Sequence, residues 1–360
     1  MKAIQNGIFA IGLSLINNSA QAATFCVGTS AELDQALVTA AGNSAHDLIR
    51  IKSGTYTDDG NLAFGYTTSQ NFALTIAGGY LSSPANCAVQ SKNPALTVLS
   101  GSNQRRVLDL TALSGSGGFS VSNLTIRAGA NPPGQSGSAG LDIGGAGDFD
   151  GTIVVSRVVF DRNTSADFGG GLIVSAAGIV SVINNLFLLN RCGGNDCAMS
   201  ATVNGSTPSE FTAFFGNNTF VGNACSAGAP VTCTTGGARL GGSARAAFYN
   251  NLFAANSGAG LKLGGSLTEL YNNNIVSIIG TPALMSGNLN FANPQLVDLI
   301  NDDVRLQPDS PMRNAGTPLF VLLTSDLDGN ARVVDSIVDI GAYEFDDSFF
   351  KNGFEQPPVE

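Results

Sequence analysis

The chain has 360 residues, including 45 glycines, 21 phenylalanines and no tryptophan, and only 12% of its residues are charged. This composition favours short strands joined by tight turns over helices with ion-paired faces. The formal net charge is −10, with 17 Lys and Arg residues along the whole chain. Nucleic acid is therefore an unlikely class of partner, because phosphate binding requires clustered cations.

Residues 1–22 have the features of a secretory signal peptide. Lys2 supplies the positive start, residues 8–16 an apolar run, and Ala20-Gln21-Ala22 a cleavage site of small residues. The apolar run is too short to span a bilayer, and no later stretch is long enough either. We therefore expect an exported mature chain that starts near Ala23 and has no transmembrane segment.

A short helix is predicted next, over 30–42. Its apolar residues recur at helical spacing, with Ser30 as the N-cap and Gly42 as the C-cap. A helix in this position would cover the first coil of a stacked fold, whose end exposes apolar core and unpaired backbone.

Brief strands that end at Gly or a polar turn follow at 48–56, 74–80, 96–101 and 107–110. Residues 51–56 read Ile-Lys-Ser-Gly-Thr-Tyr. With the preceding helix, this phrase resembles the opening of secreted right-handed parallel β-helix proteins of the pectate-lyase-like type. The resemblance implies an all-β coil of stacked strands.

The middle of the chain repeats the motif Asn-Asn-x-Phe-x-x-Asn at 184–190, 217–223 and 250–256. Its apolar position recurs with spacings of 34, 27, 33, 33 and 22 residues, at Ile126, Phe160, Phe187, Phe220, Phe253 and Ile275. Periods of this size are typical of solenoids, and the shortest spacing indicates the bare coil. We expect the excess length to leave as loops on one side, within 128–139, 161–170, 191–209 and 224–236.

Two sets of residues should stack in successive coils. One is an aromatic stack inside the coil, formed by Phe160, Phe187, Phe220 and Phe253. The other is a ladder of amides three residues later, formed by Asn163, Asn190, Asn223 and Asn256. Both sets are interpreted as structural.

An exported chain with six cysteines is expected to form disulfides. Local pairing would join Cys192 to Cys197 and Cys225 to Cys233, leaving Cys26 with Cys87. The alternative is a bond across coils, because Cys192 and Cys225 each lie five residues after a stacked Phe. No zinc site is expected in a chain whose single histidine is His46.

The C-terminal phrases at 293–298, 304–311 and 326–344 resemble those of the "choice-of-anchor Q" subgroup of bacterial β-helix proteins. On this resemblance, residues 290–345 would form the last coils of an exported or surface-associated protein, and no catalytic residue is implied. The tail 346–360 is similar to short C-terminal motifs of secreted Gram-negative proteins and predicts a sorting or anchoring tag. A frayed end is the alternative.

Candidate chemistry is sparse. Asp148 and Asp150 share one face if extended and could ligate calcium or act as acid and base, although solvated turn acids are more common. On the loop side, Asp161 and Arg162 are candidates for lyase chemistry. In such chemistry a base removes a proton next to the carboxylate of a uronate, while calcium neutralises the charge of that carboxylate. Two further loop-side residues, Asp167 and Arg191, are candidate ligand-surface residues. No stacked cluster of acids or bases is apparent.

A second calcium-like phrase lies at Asp326-x-Asp328-x-Asn330. It places Gly329 fourth rather than sixth and lacks the closing Glu, so it predicts a turn instead.

We therefore predict a right-handed parallel β-helix over 23–345 that is monomeric. Its predicted role is a non-catalytic exported scaffold that contacts glycans or a surface partner. The alternative is a polysaccharide lyase or glycoside hydrolase.

Overall fold

The computed structural model describes residues 22–345 apart from 59, 61–62, 116, 132–133, 146–148, 206–208, 227–232, 266 and 335. The predicted signal peptide, apart from Ala22, and the tail 346–360 lie outside these residues. Within the described residues the helices are one α-helix, α1 (Ser30–Ala40), and three 3-10 helices, Pro94–Leu96, Leu299–Asn301 and Pro318–Phe320. The N-cap of α1 is Thr29, whose hydroxyl accepts from the Glu32 N–H, and the C-cap is Ala41, so both predicted caps are displaced by one residue.

All remaining regular structure is β-strand. In chain order the strands are β1 (Ala23–Val27), β2 (Asp47–Lys52), β3 (Gly54–Tyr56), β4 (Phe64–Thr68), β5 (Leu74–Tyr80), β6 (Thr97–Ser100), β7 (Leu108–Ala112), β8 (Phe119–Arg127), β9 (Ala130–Asn131), β10 (Leu141–Gly145), β11 (Ile153–Asp161), β12 (Thr164–Ser165), β13 (Leu172–Ala176), β14 (Val180–Ile183), β15 (Leu186–Leu188), β16 (Arg191–Cys192), β17 (Met199–Val203), β18 (Phe211–Gly216), β19 (Thr219–Val221), β20 (Ala224–Cys225), β21 (Thr235–Gly241), β22 (Arg245–Tyr249), β23 (Leu252–Ala254), β24 (Ala259–Gly264), β25 (Leu267–Tyr271), β26 (Ile278–Ile279), β27 (Leu284–Ser286), β28 (Leu296–Asp298) and β29 (Asp303–Leu306).

Successive turns of the chain place strands β1 to β27 in three parallel sheets of fifteen, eight and four strands. The fifteen-stranded sheet bends at one left-handed residue per coil, at Asn123, Arg157, Asn184, Asn217, Asn250 and Asn272. Asn tolerates this backbone conformation better than most residues, which explains why it recurs at the bend. The predicted all-β parallel β-helix is confirmed.

The aromatic repeat positions stack inside the coil. Phe160, Phe187, Phe220 and Phe253 are in register in consecutive coils. Their ring centroids are 4.5 to 4.7 Å apart and their planes lie within 9° of parallel. This column therefore spans four coils of the core.

Two buried amide ladders run along the coil. In the first, Asn163 donates from its side-chain amide to Asn190 Oδ1 at 2.9 Å, and Asn190 and Asn223 continue the series toward Asn256. The second ladder, which sequence reasoning missed, links Asn185, Asn218, Asn251, Asn273 and Asn288 in the same way. The second Asn of each repeated Asn-Asn pair was its signal.

The disulfides are the local ones: Cys26–Cys87, Cys192–Cys197 and Cys225–Cys233. Cys192 and Cys225 are in register in adjacent coils, as the alternative required, but each is bonded within its own loop. His46 lies just before β2, where its Nδ1 accepts from the Ala73 N–H at 3.0 Å.

The predicted loop segments differ from the structure in detail. Each contains, at or near its start, a two-residue strand of the four-stranded sheet, β9, β12, β16 or β20; 191–209 also contains β17, and 224–236 the start of β21. After each Asn of the first ladder the chain enters the four-stranded sheet, so the excess length comes after that sheet rather than before it. The chain between β17 and β18 turns at the opposite corner, between the eight- and fifteen-stranded sheets.

The prediction that residues 290–345 form further coils is wrong. In the described part of this C-terminal segment, β28 and β29 form an antiparallel hairpin, and the remainder runs back along the coil. Its apolar side chains cover the outward residues of β15, β19 and β23, with Val304, Met312 and Ile340 in the same cluster as Leu186 and Leu252. Strands that are apolar on both faces require such a cover.

The bend residues anchor the C-terminal segment. The Asn250 amide exchanges two 2.8 Å hydrogen bonds with the backbone of Thr317, and Asn272 donates to Ala315 O at 2.9 Å. Farther back along the coil, Asn184 donates to Ser325 O at 3.2 Å. The segment therefore crosses successive coils along the line of the bend.

Candidate functional site

The site residues predicted from sequence do not converge. Asp148 lies outside the described residues, and Asp150 is exposed in the turn before β11. Asp161 and Arg162 lie at the other end of β11. The bend divides this strand into two halves of about 10 Å each, and both halves separate Asp161 and Arg162 from Asp150. These residues therefore do not share one groove.

Asp161 and Arg162 form a structural ion-pair cluster. Arg162 contacts Asp161 at 2.6 Å and Asp302 of the C-terminal segment at 2.6 Å, while Arg127, one coil earlier, lies 3.7 Å from Asp161. Burial raises the pKa of the Asp161 carboxyl, and the neighbouring guanidinium groups oppose that effect. The cluster ties the C-terminal segment to the coil, which fits a structural role.

Asp167 and Arg191 lie elsewhere, near and on the four-stranded sheet, and both are exposed. Arg191 belongs to β16 and is in register with Thr164 of β12. The phrase at Asp326 is a turn, as predicted: its carboxylate accepts from the backbone N–H groups of Asn330 and Glu344 at 2.7 and 2.9 Å.

The eight-stranded sheet presents a different arrangement on its outward face. One outward residue from each of the six strands β7, β10, β13, β17, β21 and β24 falls in a single column, which we call the open strip: Asp109, Asp142, Ile173, Ser200, Arg239 and Lys262. Every member is half-buried. At about 4.8 Å per strand, the column from Asp142 to Arg239 spans about 14 Å.

A second outward column runs beside the open strip and carries hydroxyl groups. Thr111, Ser175 and Thr202 occupy it, with Gly144 between the first two. Thr111 donates to Asp109 Oδ1 at 2.9 Å, and Arg239 Nη1 lies 3.4 Å from the Thr202 hydroxyl. Together the two columns form a polar face with donors and acceptors at regular intervals.

Two carboxylates share one guanidinium at the N-terminal end of the open strip. Arg106 donates to Asp109 and lies 3.8 Å from Asp142 Oδ2, and it also donates to the carbonyl of Ser138 at 2.8 Å. Burial raises the pKa of Asp142 to about 6. The positive charge of Arg106 lowers this pKa, and the negative charge of Asp109 raises it, by smaller amounts than burial does. Asp142 therefore takes up a proton more readily than an ordinary Asp does.

The backbone beside this pair is adapted to its close approach. Gly137 has a φ of +101°, and a Cβ there would collide with Asp142 and Arg106. Any other residue at 137 would be strained at this φ and would displace the ends of the Asp142 and Arg106 side chains.

The other end of the open strip is cationic. Arg239 and Lys262 are neighbours in register, and Arg239 Nε lies 3.9 Å from Asp196 Oδ2. Asp196 is buried, which raises the pKa of its carboxyl, and its Oδ1 has no hydrogen-bond partner among the described residues. An unpaired buried acceptor of this kind is uncommon in folded proteins.

An exposed aromatic side chain lies in the loop that precedes β13. Phe168 is 51% exposed and its ring lies close to Gly194, while the next residue, Gly169, lies close to Ile173 of the open strip.

The sequence carried a signal for the acidic end that was missed. Leu108-Asp109-Leu110 and Leu141-Asp142-Ile143 both place an Asp between two inward apolar residues. Aligning the two strands would have put both carboxylates in one column, but the long connection between them obscured the register.

These features define a parallel β-helix with one covered face and one open polar face. No protein-family model and no curated protein matches the chain. Among solved structures, the one titled "Crystal structure of pectate lyase Pel9A" is similar over 85% of this chain and 90% of its own, with 12% identity and a TM-score of 0.33. No residue role is carried over from it.

Within the part of the chain that the structure describes, no helix is long and apolar enough to cross a membrane. The described His, Cys, Asp and Glu side chains that lie close enough to hold a metal are Cys192, Cys197 and Cys225, all in disulfides. A calcium site at Asp148 and Asp150 stays a prediction.

Proposed function

We propose that this protein is an exported or surface-associated β-helix scaffold that binds an extended polysaccharide along the open strip without cleaving it. The observation that carries the proposal is the in-register column from Asp109 to Lys262, in which five of the six half-buried residues are polar or charged. A linear glycan also repeats its hydroxyl groups at regular intervals, so one chain could meet successive strands.

Several features support this proposal. Three disulfides are typical of an exported protein. Acids at one end and cations at the other suit hydroxyl groups, which both donate and accept. Charged groups of the strip are already paired with neighbouring residues, as Asp109 is with Arg106 and Arg239 is with Asp196, which favours binding over proton transfer.

The test is a panel of purified neutral and acidic polysaccharides, with binding measured by calorimetry and cleavage by new reducing or unsaturated ends. We expect binding of at least one glycan, a loss of at least tenfold in affinity for Arg239→Ala, and no new ends. A folded protein that binds no glycan in the panel would contradict the proposal.

A second candidate function is glycoside hydrolysis at Asp109 and Asp142. Side chains in register on adjacent strands are about 5 Å apart, which is the carboxyl separation of retaining glycosidases, and Asp142 has the raised pKa of a general acid. New reducing ends that disappear in both Asp142→Asn and Asp109→Asn would establish this function in place of the first.

A further inference from the structure

The two ends of the coil differ in how they are closed. At the N-terminal end, α1 packs Leu33 and Leu37 over the first coils, and both side chains are buried. At the C-terminal end, β26 pairs only with β24 and β27 only with β25 among the described strands. The outer edges of β26 and β27 therefore present unpaired backbone groups.

A column of core residues runs out through this end. Phe215, Phe248, Leu270 and Met285 are in register in consecutive coils. The first three are 0% exposed, whereas Met285 is 52% exposed. Met285 thus occupies an inward position but lacks the next coil that would cover it.

The segment of chain that carries Met285 is apolar and uncharged. Large exposed apolar side chains near it in the sequence are Val276, Ile279, Leu284 and Phe291. No residue between 270 and 297 carries a charge, in a chain whose net charge is −10. Natural sheet edges are usually protected by charged residues, and this edge has none.

We propose that the C-terminal end of the coil docks against the same end of a second copy of this chain. Two copies related by a two-fold axis bring their β27 edges together antiparallel, so that each supplies the hydrogen bonds that the other lacks. Met285, the middle residue of β27, then meets its own counterpart and continues the core column across the interface.

The charge distribution selects a second copy as the occupant. Two chains of net charge −10 repel each other in general, and the uncharged end is a surface on which copies can meet with the least repulsion. This arrangement departs from the monomer that the sequence predicts, and it leaves the open strip of both copies free.

The test is sedimentation velocity of the full chain across the micromolar range. We expect a reversible dimer, and we expect Met285→Arg to weaken it at least tenfold because the two substituted cations would face each other. Leu284→Arg, on the outward side of the same strand, provides a second variant if the first fails to fold. Val38→Arg is the matched control, since Val38 is 67% exposed on α1 at the opposite end.

A folded chain that is monomeric at every concentration would overturn the proposal, as would a dimer unchanged by both substitutions. The tail is the other possible occupant. If the full chain is monomeric and Phe349→Ser with Phe350→Ser makes it associate, the tail covers the end and the proposal is wrong.

Discussion

The covered and open faces of this β-helix start from the same strand geometry and differ in their outward residues. On β15 and β23 the outward residues include Leu186 and Leu252, which are buried beneath the C-terminal segment. On β7 and β21 they include Asp109 and Arg239, which remain half-exposed. The comparison indicates that one face stabilises the fold and the other is available for a ligand.

The largest expected effect comes from the buried Asn ladder beneath the covered face. Asn218 accepts from the Asn185 backbone and side chain and donates to Val182 O, all between 2.8 and 3.0 Å. Asn218→Ala leaves these buried groups unpaired, so we expect the free energy of unfolding to fall by about 4 kcal/mol. Denaturant titration measures it, with the exposed Asn204→Ala as a control expected within about 0.5 kcal/mol. Equal changes in the free energy of unfolding for both variants would contradict a stabilising role for the ladder.

The next largest loss of stability is expected where the C-terminal segment is held against the coil. Arg332 is buried and donates to Gly341 O at 2.9 Å, Ala342 O at 2.7 Å and Glu344 at 2.7 Å. Arg332→Met leaves the Glu344 carboxyl buried without its partner, so we expect a loss of about 3 kcal/mol.

Limited proteolysis followed by mass spectrometry locates this loss. New cleavage should appear within 312–345 before any in the coils, and the exposed Arg191→Met should leave the pattern unchanged. Simultaneous cleavage of coil and segment would show that the cover has no stability of its own.

A smaller effect is expected from the acidic end of the open strip. The folded-state pKa of Asp142 is raised to about 6 from 3.8, chiefly by burial. Its contribution to stability is therefore fully present below pH 3.8 and is lost as the pH rises through about 6. After allowance for solvent screening, we expect a change on the order of 1 kcal/mol.

Denaturant titrations at pH 4 and pH 7 measure this difference. Asp142→Asn should reduce it, while Asp150→Asn, in an exposed turn, should leave it as in the parent chain. A parent and an Asp142→Asn variant with identical pH dependence would contradict the assigned raised pKa.

The sequence was most informative where a side chain repeats in the core. The Phe column could be placed in register because each Phe fills the same inward position, and the Asn that follows it marks a fixed turn. Coil length and stacking order followed from these two residues.

Neither the C-terminal segment that covers the coil nor the open strip could be predicted from repeated side chains in this way. Leu186-Phe187-Leu188 is apolar on both faces, which shows that its outer side is buried but not which segment buries it. The C-terminal phrases resembled further coils, and only the tertiary structure shows them crossing the bend. The open strip requires the register of strands separated by long connections, which local patterns do not provide.

The central claim is that the open strip is the glycan-binding surface. Its most direct test is Ser200→Trp, which places a bulky ring in the middle of the strip, compared with Thr164→Trp at an exposed position on β12 of the four-stranded sheet. The measurement is the affinity for the glycan that the parent chain binds best. We expect a loss of at least tenfold for Ser200→Trp and no change for Thr164→Trp. Full binding by a correctly folded Ser200→Trp variant would contradict it.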